Sequence, residues 1–147
     1  MRVRTAVAAI CVVVLAALIA VPIVRERGEL QAFQDEVAAL ALPAGATRVA
    51  IASAVGDSGG NGDQSTLRVV MVVEAPSANP DTLQRWFRTR AIAVPQYSWV
   101  RDGEDPPVFV RPCESDEYES MVSFHLTFAD LSGRADYRDL YFVEFIT

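Results

Sequence analysis

The stretch Val49 to Ala75, VAIASAVGDSGGNGDQSTLRVVMVVEA, decides the fold. Two Val-rich runs, Val49 to Val55 and Leu67 to Ala75, have the β-branched composition that suits a pleated, half-buried surface. Between them, Gly56-Asp57-Ser58-Gly59-Gly60-Asn61-Gly62-Asp63 is built of turn formers and reads as a loop. Strand, loop and strand in succession predict an antiparallel hairpin with a long connection.

The next segment predicts a helix. Asn79 is a good N-cap, Pro80 suits the first helical position, and Asp81 faces the positive helix end. Leu83, Trp86, Phe87 and then Arg90 or Ile92 continue the spacing. Arg85, Arg88 and Arg90 gather toward the C-terminal half, where cations are favoured. Further on, Tyr97 to Arg101 and Val108 to Val110 read as short strands. Asp102 to Glu119, with seven acids and three prolines, reads mainly as an exposed excursion. Met121 to Phe128 alternates, with Val122, Phe124, Leu126 and Phe128 on one side and Ser123, His125 and Thr127 on the other. Leu140 to Ile146 is apolar on both faces except at Glu144, which predicts a central strand.

Upstream of the hairpin, Leu30, Phe33, Val37 and Leu40 follow helical spacing, predicting a helix over 29–42. The run is under two heptads, too short for a coiled-coil stalk, so it reads as a helix docked on the sheet. Leu42-Pro43-Ala44-Gly45 carries its stop signals. The order α, β, β, α and then further strands predicts an α+β domain: two layers, a mostly antiparallel sheet and two helices.

Further upstream, Thr5 to Val24 carries no charge. About 20 residues at about 1.5 Å each match the roughly 30 Å hydrocarbon core of a bilayer. Thr5, Cys11, Leu15, Pro22 and Val24 are therefore expected within a single transmembrane helix. Arg2 and Arg4 precede it; Arg25 and Arg27, offset by Glu26 and Glu29, follow it. The Arg count is tied, and the short basic N-terminus favours the cytoplasmic side. The alternative is secretion after signal-peptide cleavage, but the best site, after Ala20, has Leu18 at the −3 position. A lipoprotein reading at Cys11 meets Ile10 where a small residue is needed. A pilin would place a processed Gly and an early Glu here, and neither is present. The expected division is 1–27, a basic N-terminus and anchor, and 28–147, an extracytoplasmic domain.

The chain has 147 residues and a net charge of −6. With one domain's length outside the anchor, double-barrel proteases, TIM barrels and kinase domains are excluded. All 13 basic residues are Arg, a compositional bias rather than a functional sign. Residues 28–147 hold nine Arg and 18 acids, a net of −9, which disfavours nucleic acid and anionic lipid as partners of the domain. Cys11 and Cys113 are expected on different sides of the membrane boundary and cannot pair within one chain, so Cys113 reads as a structural thiol.

Gly56-Asp57-Ser58-Gly59-Gly60 resembles the nucleophile segment of chymotrypsin-like proteases, in which a His and an Asp precede the serine. No His precedes Ser58. A strand ending in Gly-Asp-Ser also resembles the first block of GDSL-type esterases, whose Asp-x-x-His segment follows later. Here His125 is preceded by Val122 where that Asp is needed. Asp57, Asn61 and Asp63 suggest calcium, but EF-hand spacing would put Gly59 and Arg68 at ligand positions. Glu114, Asp116, Glu117 and Glu119, near Asp102, Glu104 and Asp105, form an acidic cluster able to meet a basic partner or a weakly held calcium ion; a solvated loop also explains it. His125 has no metal-binding companions in the sequence. Among Trp86, Phe87, Tyr97 and Trp99, core packing accounts for most, while Trp86 or Trp99 left exposed would serve as an interface anchor.

Met1-Arg2-Val3-Arg4, the Thr5 to Val24 block and the helix running into Leu42-Pro43-Ala44-Gly45-Ala46-Thr47 together resemble the small single-pass membrane-anchored proteins of high-GC Gram-positive bacteria. The resemblance covers layout and implies no activity. The expected role is a membrane-tethered, non-enzymatic binding or accessory domain with a protein partner and no cofactor. A small hydrolase using Ser58 and a calcium- or ligand-responsive sensor are the alternatives.

Overall fold

The computed structural model describes residue 21 and residues 24–57, 65–113 and 137–147. Helix α1 covers 24–39, and then come strand β1 (Thr47–Asp57), strand β2 (Ser65–Glu74), helix α2 (Pro80–Ala91), a 3-10 turn (Pro95–Tyr97), strand β3 (Val108–Pro112) and strand β4 (Leu140–Ile146). The fold is α+β. The described strands form an antiparallel sheet of order β1-β2-β4-β3.

The predicted hairpin is present. Ile51 stands opposite Met71 and Val55 opposite Leu67, and a bulge between Arg48 and Ala50 puts one extra residue in β1. β4 lies between β2 and β3, the central place that its two apolar faces require.

The helices share one face of the sheet. Phe33 and Val37 from α1 and Leu83 and Phe87 from α2 pack with Val69, Met71, Val108, Val143 and Phe145, all buried. Phe33 meets Tyr97 edge-on, and Phe87 meets Phe145 the same way, at centroid distances of 5.9 and 6.0 Å. On the opposite face Val70, Val72, Cys113, Leu140 and Phe142 form a second buried cluster. The Cys113 thiol is buried, as its structural reading expects.

The start of α2 is as expected, with Asn79 Oδ1 accepting from the Thr82 N–H at 2.8 Å and Pro80 in the first turn. Other boundaries differ. α1 begins upstream of residue 29 and ends at 39, where the Leu40 N–H turns back to Val37 at 3.2 Å. A further turn, Ala46 N–H to Pro43 C=O at 3.1 Å, uses Gly45 at φ 79°, a left-handed conformation that suits glycine.

The strand expected over Tyr97 to Arg101 does not form. Pro95 has no N–H, and the next donors are spent in tight turns: Tyr97 to Val94 at 2.9 Å, Ser98 to Pro95 at 3.0 Å and Val100 to Tyr97 at 3.0 Å. The turn drives Tyr97 into the helix-side core and leaves Trp99 outside. The strand expected over Met121 to Phe128 lies outside the described residues.

No helix among the described residues is long and apolar enough to cross a membrane. Thr5, Cys11, Leu15 and Pro22 lie outside those residues. Val21 and Val24 are exposed, at 64% and 69%.

Candidate functional site

The outer face of α2 and the loop before β3 bound an open groove of about 470 Å³. Gln84, Arg85, Arg88, Thr89 and Ile92 line one side and Asp105 the other. Helical spacing puts 81, 84/85, 88 and 92 on one side of α2, while 83, 87 and 91 enter the core.

Arg88 is the most constrained of these side chains. Its Nη1 donates to Asp105 Oδ2 at 2.9 Å and its Nε to the Val108 carbonyl at 3.3 Å. One turn earlier, Gln84 Oε1 accepts from the Val110 N–H at 3.5 Å. Gln84 and Arg88 therefore reach over the outer backbone of β3. Thr89 Oγ1 returns to the Arg85 carbonyl at 2.9 Å, while Ile92 stays 59% exposed at the end of the groove. Donors, acceptors and an apolar side chain in one groove can hold a polypeptide surface.

A second charged feature lies on the opposite face of the sheet. Glu144, 2% exposed, is flanked by Arg68 Nε at 2.5 Å from Oε1 and Arg111 Nη2 at 3.8 Å from Oε2. Oε1 lies in charge contact with Arg68 without an aligned hydrogen bond. Both arginines stand diagonally across the ladder from Glu144, since Val70 and Phe109 are its direct partners. Buried ions need such company, because desolvation costs several kcal/mol per charge.

Among the described residues, Tyr97 is the titratable group most altered by the fold. Burial pushes its hydroxyl well above the usual phenol range, the nearby Ile146 backbone opposes this, and the Glu144 charge adds to the rise. The hydroxyl makes no aligned hydrogen bond.

The expected site residues fare unevenly. Trp86 is half-buried: its Nε1–H donates to the Ala41 carbonyl at 3.1 Å and its ring carries the Arg90 guanidinium at 3.3 Å. Trp99 is 57% exposed. Asp105 binds Arg88, and the Glu104 carboxylate faces the Arg101 N–H at 3.5 Å. Glu114, Asp116, Glu117, Glu119, Ser58, Asn61, Asp63 and His125 lie outside the described residues. Among the described residues no group of three His, Cys, Asp or Glu could hold a metal ion.

Gln84 and Arg88 were absent from the sequence reading as a pair, although their i, i+4 spacing on a predicted helix was visible. Glu144 stood out as the one acid in its strand; its meeting with Arg68 required the register.

No protein-family model, curated protein or solved structure matches the chain.

Proposed function

We propose that this protein is a membrane-tethered extracytoplasmic binding or accessory domain that acts without chemistry of its own. The observation that carries the reading is the continuity of α1. The helix runs unbroken from Val24, at the end of the uncharged Thr5 to Val24 block, to residue 39, and buries Phe33 and Val37 fully in the core. Each such side chain contributes roughly 1.5–3 kcal/mol on burial. The first turns, including Arg25, Arg27 and Gly28, are exposed. An uncharged sequence block before residue 25, leading into a helix exposed over its first turns and docked from Leu30 onward, is the arrangement expected of a tether entering a domain.

The exposed Trp99 and the mixed polar groove on α2 supply surface for a protein partner, in line with the aromatic and arginine content of interface hot spots. The net −9 of residues 28–147 points to a neutral or basic partner.

Alkaline carbonate extraction and protease accessibility of full-length tagged protein in intact cells and spheroplasts test the tether. Retention in the membrane with cleavage from outside is expected. Release by carbonate, or a mature chain lacking residues 1–27, overturns it. Cross-linking in the native membrane followed by mass spectrometry tests the binding role, with one dominant partner as the expected result.

A further inference from the structure

We propose that the end of the domain from which α1 emerges lies against the bilayer surface, with Trp99 and Ile92 seated in the headgroup layer. The inference rests on the tether reading above and narrows it: Trp99 faces lipid, and the groove on α2 stays open to a protein.

The described elements run between two ends of the domain, and their contacts fix which end each terminus occupies. Ser53 Oγ of β1 donates to Gln34 Oε1 of α1 at 2.5 Å, while the chain passes from the end of α1 at residue 39 into β1 at Thr47. β1 therefore runs back along α1, and its Asp57 end points the way of Val24. The ladders carry this direction across the sheet. Asp57 stands opposite Ser65, Arg68 opposite Ile146, and Val108 opposite Phe145. β2 begins, β4 ends and β3 begins on the same side. The helices agree. Trp86, inside α2, bonds the Ala41 carbonyl, whereas Tyr97, beyond the end of α2, packs edge-on against Phe33. Going toward the C-terminus of α2 is thus going along α1 toward Val24. The last turn of α2, the 3-10 turn and the start of β3 share the end from which α1 emerges.

That end also carries exposed apolar side chains. Ile92 is 59% exposed, Trp99 57% and Val55, near the end of β1, 42%. The opposite end is made by the connections after α1 and β2 and by residues 137–139. It holds no exposed large apolar side chain among the described residues. Tight turns hold the pattern in place. Val94 N–H bonds the Ala91 carbonyl at 2.9 Å and Tyr97 N–H the Val94 carbonyl at 2.9 Å. Val94 and Tyr97 are buried as a result, and Ile92, Pro95 and Trp99 stay outside.

An indole and an aliphatic side chain beside a tether match the chemistry of the membrane interface. Tryptophan is enriched there because its ring is apolar and its N–H polar. The reach also fits. Val24 and Phe33 are nine residues apart, about 13.5 Å along a helix. The headgroup layer takes up roughly 5–7 Å of that, and the indole spans much of the rest. A tilt of about 20°, ordinary for membrane helices, lowers one side of the domain further. Arg25, Arg27 and Arg101 at this end stand among Glu26, Glu29, Asp102, Glu104 and Asp105. The contact therefore depends on apolar burial rather than on attraction to anionic lipid, in keeping with the acidity of the domain.

The test uses the full-length Trp86→Phe protein, in which Trp99 is the only tryptophan. It is reconstituted into phosphatidylcholine vesicles with and without bromine high in the acyl chains, which quenches indole fluorescence on contact. The reference is Ala44→Trp at the opposite end, in a chain that also carries Trp86→Phe and Trp99→Phe. Trp99 is expected to be quenched at least about twofold more than the reference. Ile92→Glu, at an exposed position, brings a charge to the interface and should reduce the quenching of Trp99 by about half or more, with an unchanged circular dichroism spectrum. Carbonate extraction of the same vesicles separates the two ways of failing. A retained chain whose Trp99 is quenched no more than the reference overturns the lipid contact, assigns Trp99 to a protein partner and leaves the tether standing. A chain released by carbonate overturns the tether and the contact with it. Quenching indifferent to Ile92→Glu overturns the place given to Ile92.

Discussion

Trp86 donates its indole N–H to the carbonyl of Ala41, 45 residues earlier in the chain, at 3.1 Å. The bond fastens α2 to the connection between α1 and β1, and the Arg90 guanidinium closes over the ring. Trp86→Phe keeps the aromatic face and removes the donor. It is expected to lower stability by about 1 kcal/mol, read as a shift in the urea midpoint of the full-length protein. Trp99→Ala, at a site 57% exposed, should stay within about 0.5 kcal/mol of wild type. Equal losses from the two changes would contradict the structural role of Trp86.

The carboxylate of Glu144 serves two guanidiniums from neighbouring strands. Glu144→Ala removes it and leaves a void between Val70 and Phe109, at an expected cost of about 3 kcal/mol or more. Glu144→Gln keeps the volume and an acceptor, so its loss is smaller. A Gln variant as damaged as the Ala variant would show that charge, rather than packing, dominates; an Ala variant with wild-type stability would refute both.

Tyr97 sets an alkaline limit. A free tyrosine loses its proton near pH 10, whereas burial holds the Tyr97 proton to higher pH. Above about pH 10 the folded chain therefore binds more protons than the unfolded one, and stability falls as pH rises. Below about pH 9 this group adds no pH dependence. Tyr97→Phe should flatten the alkaline limb in a series of denaturant titrations. At neutral pH it should change stability by no more than about 1 kcal/mol, because the hydroxyl has no aligned hydrogen-bond partner. An alkaline limb unchanged by Tyr97→Phe would assign it to other groups.

Asn79 caps α2 through the Thr82 N–H. Asn79→Ala is expected to cost about 1 kcal/mol, and Asn79→Ser or Asn79→Asp much less, since each retains an accepting side-chain oxygen. The measurement is the thermal midpoint of the three variants; equal losses would place the effect elsewhere than the cap.

The local features of the fold were legible in the sequence. Alternation and β-branching gave the β1–β2 hairpin, the two apolar faces of Leu140 to Ile146 gave its central place, and Asn79-Pro80 marked the start of α2. What failed was punctuation without periodicity. Tyr97 to Arg101 has strand-like composition, but Pro95 supplies the start of a 3-10 turn, and composition does not say which carbonyl an N–H will choose. The site was less legible than the fold. Trp86 and Trp99 have the same composition value as interface candidates, and only packing separates a half-buried tie from an exposed ring. The pairing of Arg68 with Glu144 depends on a ladder joining residues far apart in sequence, which no local pattern encodes.

The placement of β4 bears on how the chain must be made. β4 follows the other described strands in chain order yet lies inside the sheet, with β2 on one flank and β3 on the other. Without β4, β2 has an open edge among the described strands and β3 has no described strand beside it. The Val-rich β2 is then the segment most exposed to wrong partners. The described sheet consequently closes only when β4 is in place. Truncation before residue 140 therefore separates the β1–β2 hairpin from β3, because β4 is the strand that joins them.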